Sequence, residues 1–311
     1  MPPLSESPPH PPIELARRVG GVDETDPVGS YEHLGRAVRG ELEACLPGGW
    51  SWDGKTVLDF GCGAGRVLRA FLPNPNADLH GCDIDRASIE WLADNLSPPL
   101  SVFVNQEAPP LDRPDETFDL VYAVSVFTHI TDEWAAWLRE LHRVLRPGGL
   151  LAASFLGSGT TEQLIGESWD DAHFGMNVLA KFRSWDEGGP LVFHSPWWLR
   201  AHWGRIFDIP QIRDPGTRGT HGWVICRKQE RTAPSEEELR IAEPGEAREL
   251  SSVIHNLKQA QAELSSNLQY FGAENAALRI RLAALEGSKS WRATEPLRKV
   301  AQRFRASQAG L

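Results

Sequence analysis

The sequence predicts an α/β fold, a doubly wound and mostly parallel seven-stranded sheet, followed by a long α-helical coiled coil. Three observations carry this. Seven short runs of β-branched, aromatic and other apolar residues lie between Thr56 and Arg227, and the first five are joined by helical patterns or turns, as parallel strands require. The first run, T-V-L-D-F at 56–60, passes straight into a turn carrying Gly61, Gly63 and Gly65. From Glu246 onward apolar residues recur at alternating three- and four-residue steps, the spacing of a coiled-coil seam.

In the first strand Val57, Leu58 and Phe60 read as buried, and the spacing of Val67, Leu68 and Phe71 starts a helix after the glycines. Glycine accepts positive φ and lets a ligand approach the main chain, while N-H groups at a helix start offer hydrogen bonds. Asp59, at the strand's carboxyl end, disfavours a phosphate there and favours a cation such as a sulfonium or an amine. The spacing is G-x-G-x-G, with Arg66 standing where a dinucleotide-binding turn has its third glycine. A tight turn in some other α/β protein is the alternative. The segment resembles motif I of the class I methyltransferases that use S-adenosylmethionine, and the similarity runs from about Trp52 to Ser154. It implies a Rossmann-like methyltransferase sheet with S-adenosylmethionine as cofactor, held by Asp59, Gly61, Gly63 and Gly65.

The second strand, A-D-L-H-G-C-D, ends in Asp83, and Asp85 serves as N-cap of a helix carrying Ile89, Trp91, Leu92 and Leu96. By resemblance Asp83 accepts hydrogen bonds from the ribose hydroxyls. After the third strand, L-S-V-F-V-N, the family pattern places Glu107 and the Ala108 N-H beside the adenine; an exposed loop glutamate is the other reading of Glu107. A fourth strand begins at Thr117, an amphipathic helix covers Trp134 to Leu145, and R-P-G-G leads into a fifth strand, L-L-A-A-S-F-L. This pairing of F-D-L-V with L-R-P-G-G-L-L also resembles the family.

Residues 157–194 form an insertion rich in Gly, Trp, Asp and Phe, placed where a doubly wound sheet builds its substrate pocket. Its Trp169, Phe174, Phe193 and His194, with Trp197 and Trp198 beyond, would suit the apolar face of a sugar ring; a hydrophobic mini-core is the alternative for any one of them. Ser195 and Pro196 start another helix, and I-P-Q-I-R and H-G-W-V-I-C-R complete the sheet as an antiparallel pair. Domain limits follow: a disordered leader at 1–12, a class I methyltransferase domain at 13–230, a polar linker at 231–245, a coiled coil at 246–286 and a basic amphipathic tail at 287–311.

In the seam, Leu250, Val253, Leu257, Ala260 and Leu264 are followed by Leu268, Phe271, Asn275, Leu278, Leu282 and Leu285, with a stutter between Leu264 and Leu268. Such a narrow stripe on a polar helix predicts a homo-oligomer. Asn275 fixes register in a dimer or marks a weak spot, and a trimer fits the pattern as well. The stretch from Ser288 to Arg305 resembles a tail found after coiled coils in bacterial surface-polysaccharide enzymes. Leu297, Val300, Ala301 and Phe304 share a face flanked by Arg298, Lys299, Arg303 and Arg305, a pattern for peripheral membrane contact or a frayed basic end.

A net charge of −10 argues against a nucleic-acid partner, which needs clustered Lys and Arg. Cys45, Cys62, Cys82 and Cys226 are scattered, without metal-ligand spacing, so no metal is implied and the cysteines read as reduced residues of a cytoplasmic protein. His129, in S-V-F-T-H-I-T after the fourth strand, is the candidate catalytic base for a hydroxyl acceptor; a structural histidine capping the next helix is the alternative. The resulting expectation is an S-adenosylmethionine-dependent methyltransferase acting on an oxygen of a saccharide or lipid-linked glycan. A non-catalytic cofactor-binding scaffold, a small-molecule methyltransferase of other metabolism and a nicotinamide-dependent oxidoreductase are the competing readings, the last disfavoured by Arg66.

Overall fold

The computed structural model describes residues 8–18, 20, 22–72, 77–158, 175–215, 221–244, 246–294 and 296, and of residues 247–260 and 263 the backbone only. Five strands pair in parallel: β1 (Thr56–Phe60), β2 (Asp78–Asp83), β3 (Ser101–Val104), β4 (Phe118–Ala123) and β5 (Leu145–Phe155). A short hairpin, β6 (Asn177–Leu179) with β7 (Leu191–Phe193), stands apart as a second sheet. Antiparallel β8 (Phe207–Arg213) and β9 (Gly222–Lys228) complete the main sheet in the order β3-β2-β1-β4-β5-β9-β8. This is the seven-stranded, mostly parallel sheet that the apolar runs predict.

Alternation within the strands explains the layers. Val57, Leu120, Tyr122, Leu150 and Ala152 face one way and bury Leu42 and Cys45 of α2 (Pro27–Cys45) and Ile89 and Leu92 of α3 (Arg86–Leu96). Leu58, Phe60, Val121, Ala123, Leu151 and Ala153 face the other way, against α4 (Trp134–Val144) and α5 (Pro196–His202). Both faces of the central strands are covered, which is why these runs are almost continuously apolar.

Several expectations need correction. The helix predicted after the glycines is a single 3-10 turn, Leu68–Phe71, because Pro73 and Pro75 follow it. Helix α2 starts at Pro27, not Tyr31: the Asp26 carboxylate accepts from the Gly29 N-H at 2.9 Å, and proline fits the first helical position. Asp85 does sit at the N-cap position of α3, but its carboxylate is engaged by the Arg18 guanidinium, from α1 (Ile13–Arg18), and by the Ser88 hydroxyl. The insertion's Phe193 and His194 are fully buried and Trp198 almost so, with Trp197 packed against the same core, so these side chains do not form an exposed platform for a sugar ring. Trp169 and Phe174 lie outside the described residues.

The polar stretch after Arg231 is docked rather than free. Ser235 and Glu238 close a capping box on α6 (Glu236–Arg240), whose Leu239 is completely buried. Arg205 donates to Glu243 at 2.6 Å and to the Leu239 carbonyl at 2.9 Å, and His202 joins that carbonyl through Nδ1 and the Glu246 carboxylate through Nε2. The compact unit accordingly runs to Asn256, and a second unit begins at Leu257. One helix, α7 (Ala247–Gly287), spans the coiled-coil sequence, followed by α8 (Lys289–Ala293). The apolar and basic residues of the tail from Leu297 onward lie outside the described residues. Among the described residues no helix is long and apolar enough to cross a membrane.

Leu239 therefore anchors the segment. Leu239→Ala should lower unfolding free energy by about 2 to 5 kcal/mol, the usual cost of truncating a fully buried leucine. The check is chemical denaturation, and an unchanged midpoint would show that α6 lies on the domain without holding it.

Candidate active site

Sheet order places β1 beside both β2 and β4, so the chain leaves their carboxyl ends in opposite directions and opens a crevice between them. The β1 turn makes one wall. Gly61 has φ of 81°, and a Cβ there would collide with Cγ2 of Val126, so only glycine lets the loop after β4 come this close. Gly61 and Cys62 donate their N-H groups to the Cys82 carbonyl at 2.8 and 3.0 Å. Gly63, with φ of 51°, turns its N-H onto the Asp83 carboxylate at 2.7 Å, while the other Asp83 oxygen accepts from the Asp85 N-H at 2.8 Å. Gly65 serves packing instead, since a Cβ there would lie 2.7 Å from Cδ2 of Leu92, and its absence seats the turn on α3.

Burial sets the electrostatics of this wall. The Asp59 carboxyl is 2% exposed, and desolvation pushes its pKa up to about 8. The neighbouring Tyr122 hydroxyl and Arg66 oppose the shift, while Asp83 adds to it. Asp83 is itself raised by burial, against the main-chain N-H groups of Asp85, Gly63 and Ile84 that favour its charge. Asp85 goes the other way, because Ser88 and Arg18 outweigh its burial. At the end of β3, Asn105 gives its amide N-H to the Gln106 carbonyl at 2.8 Å, which leaves a buried Oδ1 without a partner among the described residues.

The second wall comes from β4 and the insertion. Ser125 has φ of 59°, an uncommon conformation for a residue with a Cβ, and its N-H donates to the Ser154 hydroxyl at 2.7 Å. His129 Nδ1 lies 2.7 Å from the Pro190 carbonyl. A carbonyl only accepts, so Nδ1 carries the proton and Nε2 is left as an acceptor. Burial lowers the pKa of this imidazole, with the Pro190 bond opposing. Gly188 and Gly189, at φ of 100° and 63°, fold the hairpin tip so closely that a Cβ on Gly189 would lie 3.3 Å from Nδ1 of His129. Thr128 fastens the hairpin by accepting from the Val192 N-H at 2.7 Å, and Lys181 pairs with Asp132 at 2.9 Å.

Of the residues singled out in the sequence, Asp59, Gly61, Gly63, Asp83, Glu107 and His129 line one cavity of about 990 Å³. Gly65 and Ala108 are not among its lining residues. Glu107 stands exposed at the rim, its carbonyl accepting from Trp137 Nε1 at 3.0 Å. Two further lining residues, Asn105 and His221, belong to no motif in the sequence. Position is the available signal for His221. β9 runs antiparallel to β5, so the residue preceding it arrives at the carboxyl end of the parallel strands, where the site lies.

Residues 57–149 match the methyltransferase domain family. The chain is 32% identical over 119 residues to 2-methyl-6-phytyl-1,4-hydroquinone methyltransferase of Synechocystis sp., covering 38% of this chain and 37% of that one. Likewise it is 32% identical over 145 residues to phthiotriol/phenolphthiotriol dimycocerosates methyltransferase 1 of Mycobacterium ulcerans, covering 45% and 48%. A solved SAM-dependent methyltransferase from Methanosarcina mazei aligns at 20% identity and a TM-score of 0.41, covering 58% of this chain and 94% of that one. The chain thus spans under half the length of the two named relatives. The match over residues 57–149 makes the region that carries this cavity a methyltransferase domain, with S-adenosylmethionine as its cofactor. The residues fit that cofactor: one buried and one partly buried carboxylate favour a cation, and the bare Oδ1 of Asn105 can accept from an amine or hydroxyl.

The raised pKa of Asp59 gives a test with a defined sign. Unfolded, this carboxyl has its ordinary value of 3.8, so between about pH 4 and 8 the native protein holds an extra proton and this contribution to stability falls as pH rises. A bound cation favours the ionised form, so S-adenosylmethionine binding near pH 7 should release a proton. Calorimetric titrations in buffers of different ionisation enthalpy read this directly. Asp59→Asn should abolish the release, and buffer-independent heats in the unsubstituted protein would refute the coupling.

Proposed function

We propose that the whole protein is a methyltransferase that transfers the methyl group of S-adenosylmethionine to a hydroxyl oxygen, with His129 as the base. The observation that supports this reading is a histidine whose tautomer leaves Nε2 as an acceptor, in the same cavity as two carboxylates suited to a cation. When bound, S-adenosylmethionine supplies a methyl carbon activated by its sulfonium, so the S-C bonding pair stays on sulfur as the new O-C bond forms. Asp59 and Asp83 would hold the cofactor's polar groups, and the glycine turn would let it approach the main chain. Leu156, Leu191 and Trp185 offer the acceptor an apolar wall. His129 Nε2 takes the hydroxyl proton, and its lowered pKa keeps it neutral and ready near pH 7.

Within this class, a saccharide or lipid-linked glycan of surface-polysaccharide synthesis is the acceptor we favour, on the resemblance of the tail from Ser288 to Arg305. The names of the relatives point to hydroquinone and phthiotriol skeletons, so hydroxylated lipids belong in the same screen. Methyl-labelled S-adenosylmethionine should label an oxygen in a panel of phenols, a hydroquinone, pyranosides and lipid-linked glycans. His129→Ala should cut turnover about a hundredfold or more with cofactor affinity unchanged. Cofactor binding without any labelled product would instead support the scaffold reading.

We further propose that α7 pairs with a second copy of itself. Leu264, Leu268, Phe271, Leu278, Leu282 and Leu285 are each more than half exposed, and with Asn275 they repeat at steps of four and three. A stripe this regular on a polar helix gains its burial from another helix. Light scattering should give an oligomer for the full chain and a monomer for Leu278→Ser combined with Leu282→Ser; one mass for both would exclude the seam. Membrane contact through the basic tail stays part of the proposal, supported by the sequence pattern alone.

A further inference from the structure

The cavity holds a second imidazole, His221, with a hydrogen-bond pattern of its own. Its Nδ1 lies 3.1 Å from the Ser154 hydroxyl. That hydroxyl already accepts the Ser125 N-H, and it is buried at the end of β5. Among the described residues His221 Nδ1 is the one acceptor bonded to Ser154, so the single hydroxyl proton goes to Nδ1. The tautomer that gives this buried hydroxyl proton an acceptor has Nδ1 bare and the hydrogen on Nε2, the reverse of His129. The remaining nitrogen of each ring, Nε2, has no protein partner among the described residues. Burial, His129 and Arg66 all disfavour a charge on His221, while Glu41 favours one, and the net shift is downward. Two neutral rings of opposite tautomer line one chamber, one offering a lone pair and the other an N-H.

We propose that His221 is a second substrate-contacting residue, whose Nε2-H donates to the acceptor oxygen while His129 Nε2 accepts that oxygen's proton. This rests on the methyl-transfer reading and narrows it to a chemical class. A hydroxyl oxygen has two lone pairs: one attacks the methyl carbon and the other receives the His221 hydrogen bond. A neutral amine has one lone pair, and donating into it would block the attack. The pair of tautomers thus selects alcohols and phenols over amines. As the proton passes to His129, negative charge grows on the oxygen, and the His221 donor stabilises it where it develops. Ser154 acts as a positioning residue that sets the His221 tautomer, and the strained Ser125 backbone holds Ser154 in turn.

The first test needs no acceptor. Long-range proton–nitrogen correlation spectra of the full chain labelled with ¹⁵N-histidine, assigned with His129→Gln and His221→Gln, report the proton-bearing nitrogen of each ring. The expected result is Nδ1-H for His129 and Nε2-H for His221, with Ser154→Ala mixing the tautomers of His221 alone. Both rings in one tautomer, or a His221 pattern indifferent to Ser154→Ala, would overturn the proposal. In the second test, with the acceptor found in the labelling screen, His221→Phe should lower kcat about a hundredfold at unchanged cofactor affinity. His221→Gln, which keeps an N-H donor, should recover part of the loss. Preference for the hydroxyl acceptor over its amino analogue should shrink in His221→Phe, and an unchanged preference would refute the donor role. Should no acceptor be labelled, the methyl-transfer reading fails, and with it the role given to His221, while the spectra still decide its tautomer.

Discussion

The site depends on one close approach, that of the β4 loop to the turn after β1. Backbone and side chain meet where Val126 packs on Gly61, at a φ that glycine alone adopts without strain. This contact brings the loop from Ser125 to His129 over the same chamber as Asp59 and Asp83. If the two walls stood a side chain apart, the cation-favouring carboxylates and the histidine would belong to separate pockets. The Gly63 N-H then ties β1 to β2 through Asp83, so three strand ends are fixed relative to one another by two glycines and one carboxylate.

The two walls differ in what they demand of the chain. A buried acid and a partly buried one, positive φ and main-chain donors make the wall at the glycine turn, all from segments adjacent to parallel strands, and desolvation raises the pKa of both Asp59 and Asp83. The opposite wall is assembled from distant parts. The hairpin of β6 and β7 is fastened at Thr128 and Asp132 and presents Pro190 to His129, while His221 enters from the antiparallel strand. Its two imidazoles are held by hydrogen bonds rather than by ion pairs.

This difference explains how much is legible in the sequence. Fully covered parallel strands leave continuous apolar runs, so the sheet, its order of elements and the acids at strand ends can be read from spacing. The short turn at Leu68–Phe71 mimics a helix because its apolar residues have helical spacing, and only the prolines beyond it mark the stop. Phe193, His194 and Trp198 resemble a binding face in the sequence because composition cannot tell an aromatic core from an aromatic surface. Leu239 is the single buried residue of a five-residue helix in a polar stretch, so its burial leaves no periodic trace. His221 opens the run H-G-W-V-I-C-R, which marks a strand and not a site, since its place in the cavity follows from strand direction.

Strand order also governs the sequence of events during synthesis. The cofactor corner is built from residues up to the end of β4, so a ribosome can expose all of it while the rest of the chain is still being made. The hairpin that orients His129 comes later, and β9, which delivers His221, must slot between β5 and β8 after both exist. A nascent chain therefore passes through a stage in which the residues of the glycine turn and its acids have been made and those of the opposite wall have not.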